Sequence, residues 1–309
     1  MTCYLTEADV AALVAPEDAL APVEASFERL ARRTLANEPR RRFPLEAGAL
    51  AVMSAVDAEL GYAGVKTYAA TPQGTPFVVV LFDTSAGTLA AVIEADLLGR
   101  LRTGAASGVA AKHLARAGAT TLGVVGCGRQ AETQVACIRA AVPTIERVVA
   151  YCRTPASLAA FCAATGAEPG DGPDDPAAAD VVVTVTTSRD PVLRGEWLRD
   201  GALVCAVGAN EPSRRELDSV TVERAAFVCC DSVADARLES GDLIDPVAQG
   251  VLDWQEVHEL HDVVVGAVEG RASDDDLVVF KSNGLAAWDV ALGAFALERA
   301  RERGVGQEL

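Results

Sequence analysis

An α/β chain with a parallel, doubly wound sheet, joined to a second region of antiparallel character, is predicted by three observations. The first is the stretch 119–154. There an apolar run (Leu122, Val124, Val125) passes straight into Gly126-Cys127-Gly128-Arg129-Gln130-Ala131, a helix-compatible segment follows, and a β-branched run closes it with Val148-Val149-Ala150-Tyr151. The second is a series of later apolar runs of strand character, at 180–187, 201–210, 226–231 and 277–284. The third is the alternation and turn chemistry of 49–93, which predict strands and a hairpin instead of strand–helix repeats.

The glycine loop has a physical reading. Strand, glycine turn, helix and strand follow one another inside a unit of about 30 residues, with the spacing G-x-G-x-x-A. Gly126 allows the tight turn out of the strand, and Gly128 removes a side chain where backbone approaches a pyrophosphate. Ala131 lets the helix pack closely, while Arg129 and Gln130 lead into it. The helix N-terminus then offers N–H groups and a positive dipole end to phosphates. An NAD site usually carries Asp or Glu about 20 residues further on, for the ribose 2′-hydroxyl. This chain has Cys152-Arg153-Thr154 at that strand end. Arg153 can pair with a 2′-phosphate and Thr154 adds a donor, which favours NADP and leaves NAD open.

Composition bounds the partners. Half of the 309 residues are hydrophobic, enough for a large core in about two domains. A formal net charge of −17 argues against nucleic acid or an anionic membrane. The eight cysteines form no C-x-x-C pair, and several stand in apolar runs, so they are expected to be small buried residues of a reducing compartment. Three histidines without ligand spacing predict no metal site. With no signal-peptide pattern and no apolar run of membrane length, the expectation is a cytoplasmic protein.

In chain order, Thr6-Glu7-Ala8-Asp9 predicts a capped short helix, and a second helix begins near Pro16 or Pro22. In Pro39-Arg40-Arg41-Arg42-Phe43-Pro44, Arg40 and Arg42 share one strand face. Three adjacent arginines suit a solvated edge, and equally a grip on a substrate carboxylate. Segments 49–53 and 62–68 read as strands. Lys66 lies within the second, and periodicity leaves open whether it snorkels outward or is held at a site with a shifted pKa. Segments 76–83 and 89–93 form the predicted hairpin, and 96–117 is helical. Arg102 and Thr103 in that helix can donate to an anion; the alternative is a small-residue packing helix with a surface arginine. Residues 166–176 read as an acidic loop. The strand 180–187 ends in hydroxyls, Thr186 and Thr187, where a site at the carboxyl ends of parallel strands would lie. The chain closes with a helix over 285–303.

Several collinear pieces spanning nearly the whole chain carry a resemblance. They are Gly64-Val65-Lys66, Leu101-Arg102-Thr103-Gly104-Ala105-Ala106, the loop Val124 to Ala131, Ala206-Val207-Gly208-Ala209-Asn210, Arg215-Glu216-Leu217-Asp218, Glu239-Ser240-Gly241-Asp242 and Phe280-Lys281-Ser282-Asn283-Gly284. In these the chain resembles the ornithine cyclodeaminase/mu-crystallin family. The resemblance implies a homodimer in which a discontinuous α+β domain, 1–116 with 285–309, binds substrate and dimerises, and a Rossmann domain, 117–284, binds NAD(P). It implies hydride transfer at the Cα–N bond of a small amino or imino acid. Lys66 then matches the active-site lysine, and Arg102 a carboxylate-binding arginine. Spacing to Pro44 and Met53 favours Arg40 as a second such arginine, with Arg42 as the alternative. Thr103, Val207, Gly208, Ser282 and Gly284 join the cofactor-binding set. Three departures point away from ornithine cyclodeamination. Asn210 stands where cyclodeaminases carry an acid, Ala51 lies near where they carry a glutamate, and the Cys152-Arg153-Thr154 tip is of the NADP type. An NADP-dependent ketimine reductase or amino-acid dehydrogenase is therefore expected. The alternatives are an ornithine or lysine cyclodeaminase, oxidative cleavage of an N-linked amino acid, and a non-catalytic NADP-binding protein.

Overall fold

A computed structural model describes residues 2–309, which divide into two units. One unit holds residues 2–103 with Leu285–Leu309, and the other is Gly104–Gly284.

The first unit begins with β1 (Cys3–Leu5), α1 (Glu7–Leu13) and α2 (Leu20–Ala31), the last preceded by a 3-10 turn at Glu17–Ala19. Thr6 caps α1 through a capping box with Asp9, as its sequence predicts. Five strands follow: β2 (Leu35–Leu45), β3 (Gly48–Asp57), β4 (Tyr62–Ala70), β5 (Phe77–Asp83) and β6 (Thr88–Glu94). They pair antiparallel in succession, and the expected hairpin is β5–β6. Helix α3 (Asp96–Leu114) comes next, and the division between the units falls inside it.

The second unit is an all-parallel sheet of eight strands with helices between most of them. Its elements are β7 (Thr121–Val125), α4 (Ala131–Ala141), β8 (Arg147–Tyr151), α5 (Pro155–Thr165), β9 (Glu168–Pro169), α6 (Asp174–Ala177) and β10 (Val181–Thr184). Then come β11 (Leu203–Ala206), α7 (Ser219–Arg224), β12 (Phe227–Cys230), α8 (Val233–Glu239), α9 (Gly241–Ala248), β13 (Val257–Glu259), α10 (Leu260–Val264) and β14 (Val278–Lys281). The spatial order is β13-β12-β14-β11-β10-β7-β8-β9. The chain moves outward from β7 to β8 on one side and restarts at β10 on the other, so the strand order reverses between β7 and β10. This is the doubly wound arrangement expected from the glycine loop, and the crevice at the carboxyl ends of β7 and β10 is where such folds bind ligands. The central strands β7, β10, β11 and β14 are buried on both faces, which is why they read as continuous apolar runs.

Returning to the first unit, α11 (Ala286–Arg303) is buried along most of its length and ends at Gly304 in the left-handed conformation. The last strand, β15 (Gln307–Glu308), pairs with β1 and completes the sheet order β15-β1-β6-β5-β4-β3-β2. Alternation along β4 turns Tyr62, Gly64 and Lys66 to the covered face. A Cβ on Gly64 would lie 2.8 Å from Val290 Cγ2, so the absent side chain is what lets α11 approach this strand.

Three short strands had no expectation in the sequence, and three readings need correction. The short strands β1, β13 and β15 have two or three residues each, too few to show a period of two. The expected loop 166–176 contains β9 and part of α6, again too short for a pattern. The strand at 180–187 ends at Thr184, although Val185 N–H still reaches Val125 O at 2.9 Å. Only Cys137, Cys205, Cys229 and Cys230 are buried; Cys3, Cys127, Cys152 and Cys162 sit at element ends or on helix flanks and are part-exposed, and all eight are free thiols. Among the described residues no helix is long and apolar enough to cross a membrane.

Candidate active site

In the first unit the sheet register sets out a row of side chains. Met53 pairs with Lys66 across β3 and β4, and a register shift between Glu38 and Arg41 brings Arg40 alongside. Arg40 Nε donates to Met53 Sδ at 3.3 Å. Arg42 belongs to the neighbouring row, paired with Ala51, which in turn pairs with Tyr68. Arg40 is therefore the arginine next to the lysine row, and Arg42 lies one step further along the strand.

Lys66 is 3 % exposed, so it does not snorkel outward. Its Nζ lies 2.8 Å from Asp289 Oδ1, on α11. Arg102, on α3, is 7 % exposed and donates from Nε to the same oxygen at 3.2 Å. Its guanidinium carbon stands 5.5 Å from the Trp288 ring centre, and Lys66 Nζ stands 5.3 Å from that of Phe77. The surface-arginine reading of Arg102 is thereby excluded. Burial lowers the Lys66 pKa most, and Arg102 and Arg40 lower it further against the raising influence of Asp289, leaving it at about 8. Such an amine exchanges a proton near neutral pH, which an ordinary surface lysine does not. Thr103 is buried and its hydroxyl donates to Gly99 O at 2.8 Å.

In the second unit the dinucleotide loop shows why each small residue is needed. Gly126 has φ +109°, and a Cβ there would lie 2.7 Å from Val185 O. Gly128 is different: a Cβ would meet nothing within 4 Å. No protein packing demands glycine there, so the residue fits a backbone left open for a phosphate. Ala131 is fully buried, and its N–H reaches Gly128 O at 3.0 Å as α4 begins. Arg129 is exposed and Gln130 part-buried. This loop is therefore compatible with a nicotinamide dinucleotide, whose pyrophosphate the open backbone and the N-terminus of α4 could receive.

The neighbouring strand tips are tied together by Glu216. This carboxylate is fully buried and accepts from Thr184 Oγ1 at 3.0 Å, Thr186 N at 2.6 Å, Thr186 Oγ1 at 2.8 Å and Gly208 N at 2.7 Å. Burial and the charge of Asp242 raise its pKa, while Lys281 and the two Thr186 donors oppose them. Asp242 in turn accepts from Glu216 N and lies 2.9 Å from Lys281 Nζ. Thr186 thus spends its donor on Glu216, and Thr187 is exposed. Val207 N–H reaches Thr184 O at 2.9 Å, and a side chain on Gly208 would run into the Thr186 backbone. Ser282 Oγ and Gly284 N both bond to Asp231 Oδ2, so these two face a buried clamp. Arg153 and Thr154 stand exposed just past the end of β8. Asn210 is part-exposed on the loop after β11. The Cys127 thiol is pushed up to about 12 by burial and by contact with Cys152, which makes it a neutral filler of the loop and a poor nucleophile.

Three residues that sequence reasoning did not assign shape these sites. Asp289 had a usable signal, since it is the single charged residue between Gly284 and Glu298. Gly99 had none: a Cβ there would lie 2.9 Å from Lys66 Nζ, a contact visible only in three dimensions. Glu216 stood in a segment that carried the resemblance, but nothing in its spacing announced its partners.

Residues 1–304 match the ornithine cyclodeaminase/mu-crystallin family. The chain belongs to that family. Its relatives include a Δ1-pyrroline-2-carboxylate reductase of Bacillus cereus, 35% identical over 94% of this chain and 93% of that one. A solved structure of Thermococcus litoralis Δ1-pyrroline-2-carboxylate reductase, in complex with NADH and L-proline, is 29% identical with a TM-score of 0.93, covering 99% of this chain and 100% of that one. An archaeal alanine dehydrogenase dimer with bound NAD is 31% identical with a TM-score of 0.93, covering 100% of this chain and 98% of the other. Members of the family thus share this chain's fold along its whole length, including the dinucleotide-binding Rossmann unit.

Proposed function

We propose that this chain catalyses hydride transfer at the Cα–N bond of an α-imino or α-amino acid, as an NAD(P)-dependent oxidoreductase. The observation that carries the reading is the buried pair Lys66 and Arg102, joined on one carboxylate oxygen beside Arg40 and Met53. Arg102 has its Nε engaged by Asp289, which leaves its two Nη groups for a bidentate grip on a substrate carboxylate. Arg40 supplies a second guanidinium from the same sheet face. Held at both oxygens, the substrate has its Cα fixed in one orientation, which is the main entropic requirement of such a reaction. A bound nicotinamide dinucleotide supplies or accepts the hydride. Lys66 Nζ moves the proton: protonated, it donates to an imine nitrogen during reduction; neutral, it accepts from an amine during oxidation. Asn210 is assigned a hydrogen-bonding role only, because an amide cannot act as a carboxylate base.

The absence of an acid past β8, together with the exposed Arg153, supports NADP as the preferred cofactor. The relatives support a homodimer, and eight free thiols suit a reducing cytoplasm. The discontinuous unit is assigned substrate binding and dimerisation.

The test follows oxidation of NADPH and of NADH with Δ1-pyrroline-2-carboxylate and with pyruvate plus ammonia. Consumption with either substrate, faster for NADPH, is expected. Proline and ammonia formed from ornithine without net cofactor oxidation would replace the oxidoreductase with a cyclodeaminase.

A further inference from the structure

Asp289 occupies the first turn of α11. That turn is fixed from outside the helix, because Ala287 N–H donates to Asn37 Oδ1 on β2 at 3.1 Å. Asp289 is 1 % exposed. Its Oδ1 takes both Lys66 Nζ from β4 and Arg102 Nε from α3, and its Oδ2 has no partner among the described residues. Two cations from two separate elements therefore determine how this carboxylate lies, and the carboxylate determines the spacing of the cations. A buried carboxylate with two such partners leaves one positive charge over, which suits a site that must receive an anion. Gly99 completes the arrangement, since any side chain there would displace Lys66 Nζ.

We infer that Asp289 is a positioning residue for the reaction: by receiving Lys66 and Arg102 on one oxygen it sets the ammonium and the guanidinium at a fixed separation and keeps the proton on Lys66 Nζ. The inference rests on the proposed function for its reaction, and on geometry alone for its contacts. The charged groups bearing on Lys66 are Asp289 from α11, Arg102 from α3 and Arg40 from β2, with the Phe77 ring from β5 as an uncharged neighbour. Of these only Asp289 favours the charged amine. Removing its charge leaves burial and two arginines acting in one direction.

The chain's lysine content makes this directly measurable. It has three lysines, Lys66, Lys112 and Lys281, so protein labelled at lysine Cε gives three NMR signals, and Lys66→Met identifies the one that matters. In the wild type the Lys66 signal is expected to titrate at about 8. Asp289→Asn, equal in size but uncharged, is expected to lower that midpoint by about one unit or more. It should also lower kcat, with no further loss when combined with Lys66→Met. Asp289→Glu keeps the charge but moves the oxygens; it should hold the midpoint near the wild-type value while kcat falls, and it serves if the Asn variant does not fold. An unchanged midpoint in Asp289→Asn, or an unchanged kcat in Asp289→Glu, overturns the inference. The titration requires no substrate, so the two claims separate. An intact shift without imine reduction overturns the reaction, and imine reduction without a shift overturns the role of Asp289.

Discussion

Two glycines only two residues apart should respond to the same substitution in opposite ways. Gly126→Ala forces a side chain onto a φ of +109° and places a Cβ 2.7 Å from Val185 O. Backbone strain alone costs about 1–3 kcal/mol, or roughly 2–12 °C in Tm for a unit of this size. Gly128→Ala adds a methyl group that meets no protein atom within 4 Å at an ordinary backbone angle. Restricting the unfolded chain then stabilises by ~0.4–1 kcal/mol, so Tm holds or rises slightly. The cost of Gly128→Ala falls on the ligand. A backbone hydrogen bond to a charged phosphate is worth about 1.5–3 kcal/mol, and disturbing one weakens binding by roughly tenfold to a hundredfold. Thermal melting in the absence of cofactor, with fluorescence titration of NADPH and NADH, reads both quantities. A Gly128→Ala protein of normal Tm that binds both dinucleotides as tightly as the wild type would show that the pyrophosphate lies elsewhere, and would refute the reading of this loop.

Three further outcomes follow from the same geometry. Gly99→Ala removes a glycine from a helix interior, which favours folding by up to about 1 kcal/mol, yet it pushes against Lys66 Nζ; a stable protein with kcat lowered about tenfold or more is expected, and unchanged kinetics would contradict the placement of Lys66. Arg153→Ala should raise the Kd for NADPH about tenfold and leave NADH within about twofold, and equal losses for both would remove the 2′-phosphate role. Because Lys66 must be protonated to donate to an imine, the reductive rate should fall as pH rises through about 8, and the oxidative rate, which needs the neutral amine, should rise over the same range. A single profile shape in both directions would deny Lys66 the proton transfer.

The parts of the protein legible in its sequence are those whose partners are close along the chain. The dinucleotide loop is contiguous from Gly126 to Ala131, and its strand and helix flank it directly, so local spacing identified it. The β5–β6 hairpin and the α1 cap were visible for the same reason. Lys66 was ambiguous because its partner lies 223 residues away, on a helix whose alanine-rich sequence reads simply as packing. Arg40 and Arg42 could be placed on one strand face, but which of them lies beside the Met53–Lys66 row depends on a register shift that no spacing announces. The Glu216 clamp shows the same limit from the other side. Its donors come from the end of β10 and from the loops that follow β10 and β11, and no periodicity links them.

The central claim is that hydride arrives at Cα of an imino acid bound through its carboxylate. The most direct measurement uses NADPH or NADH carrying deuterium at nicotinamide C4, Δ1-pyrroline-2-carboxylate as substrate, and mass spectrometry with NMR of the product. One deuterium on Cα of the resulting proline is the expected result. Proline without deuterium, from either face of the labelled cofactor, would contradict direct transfer and with it the assignment of Arg102, Arg40 and Lys66 to that reaction.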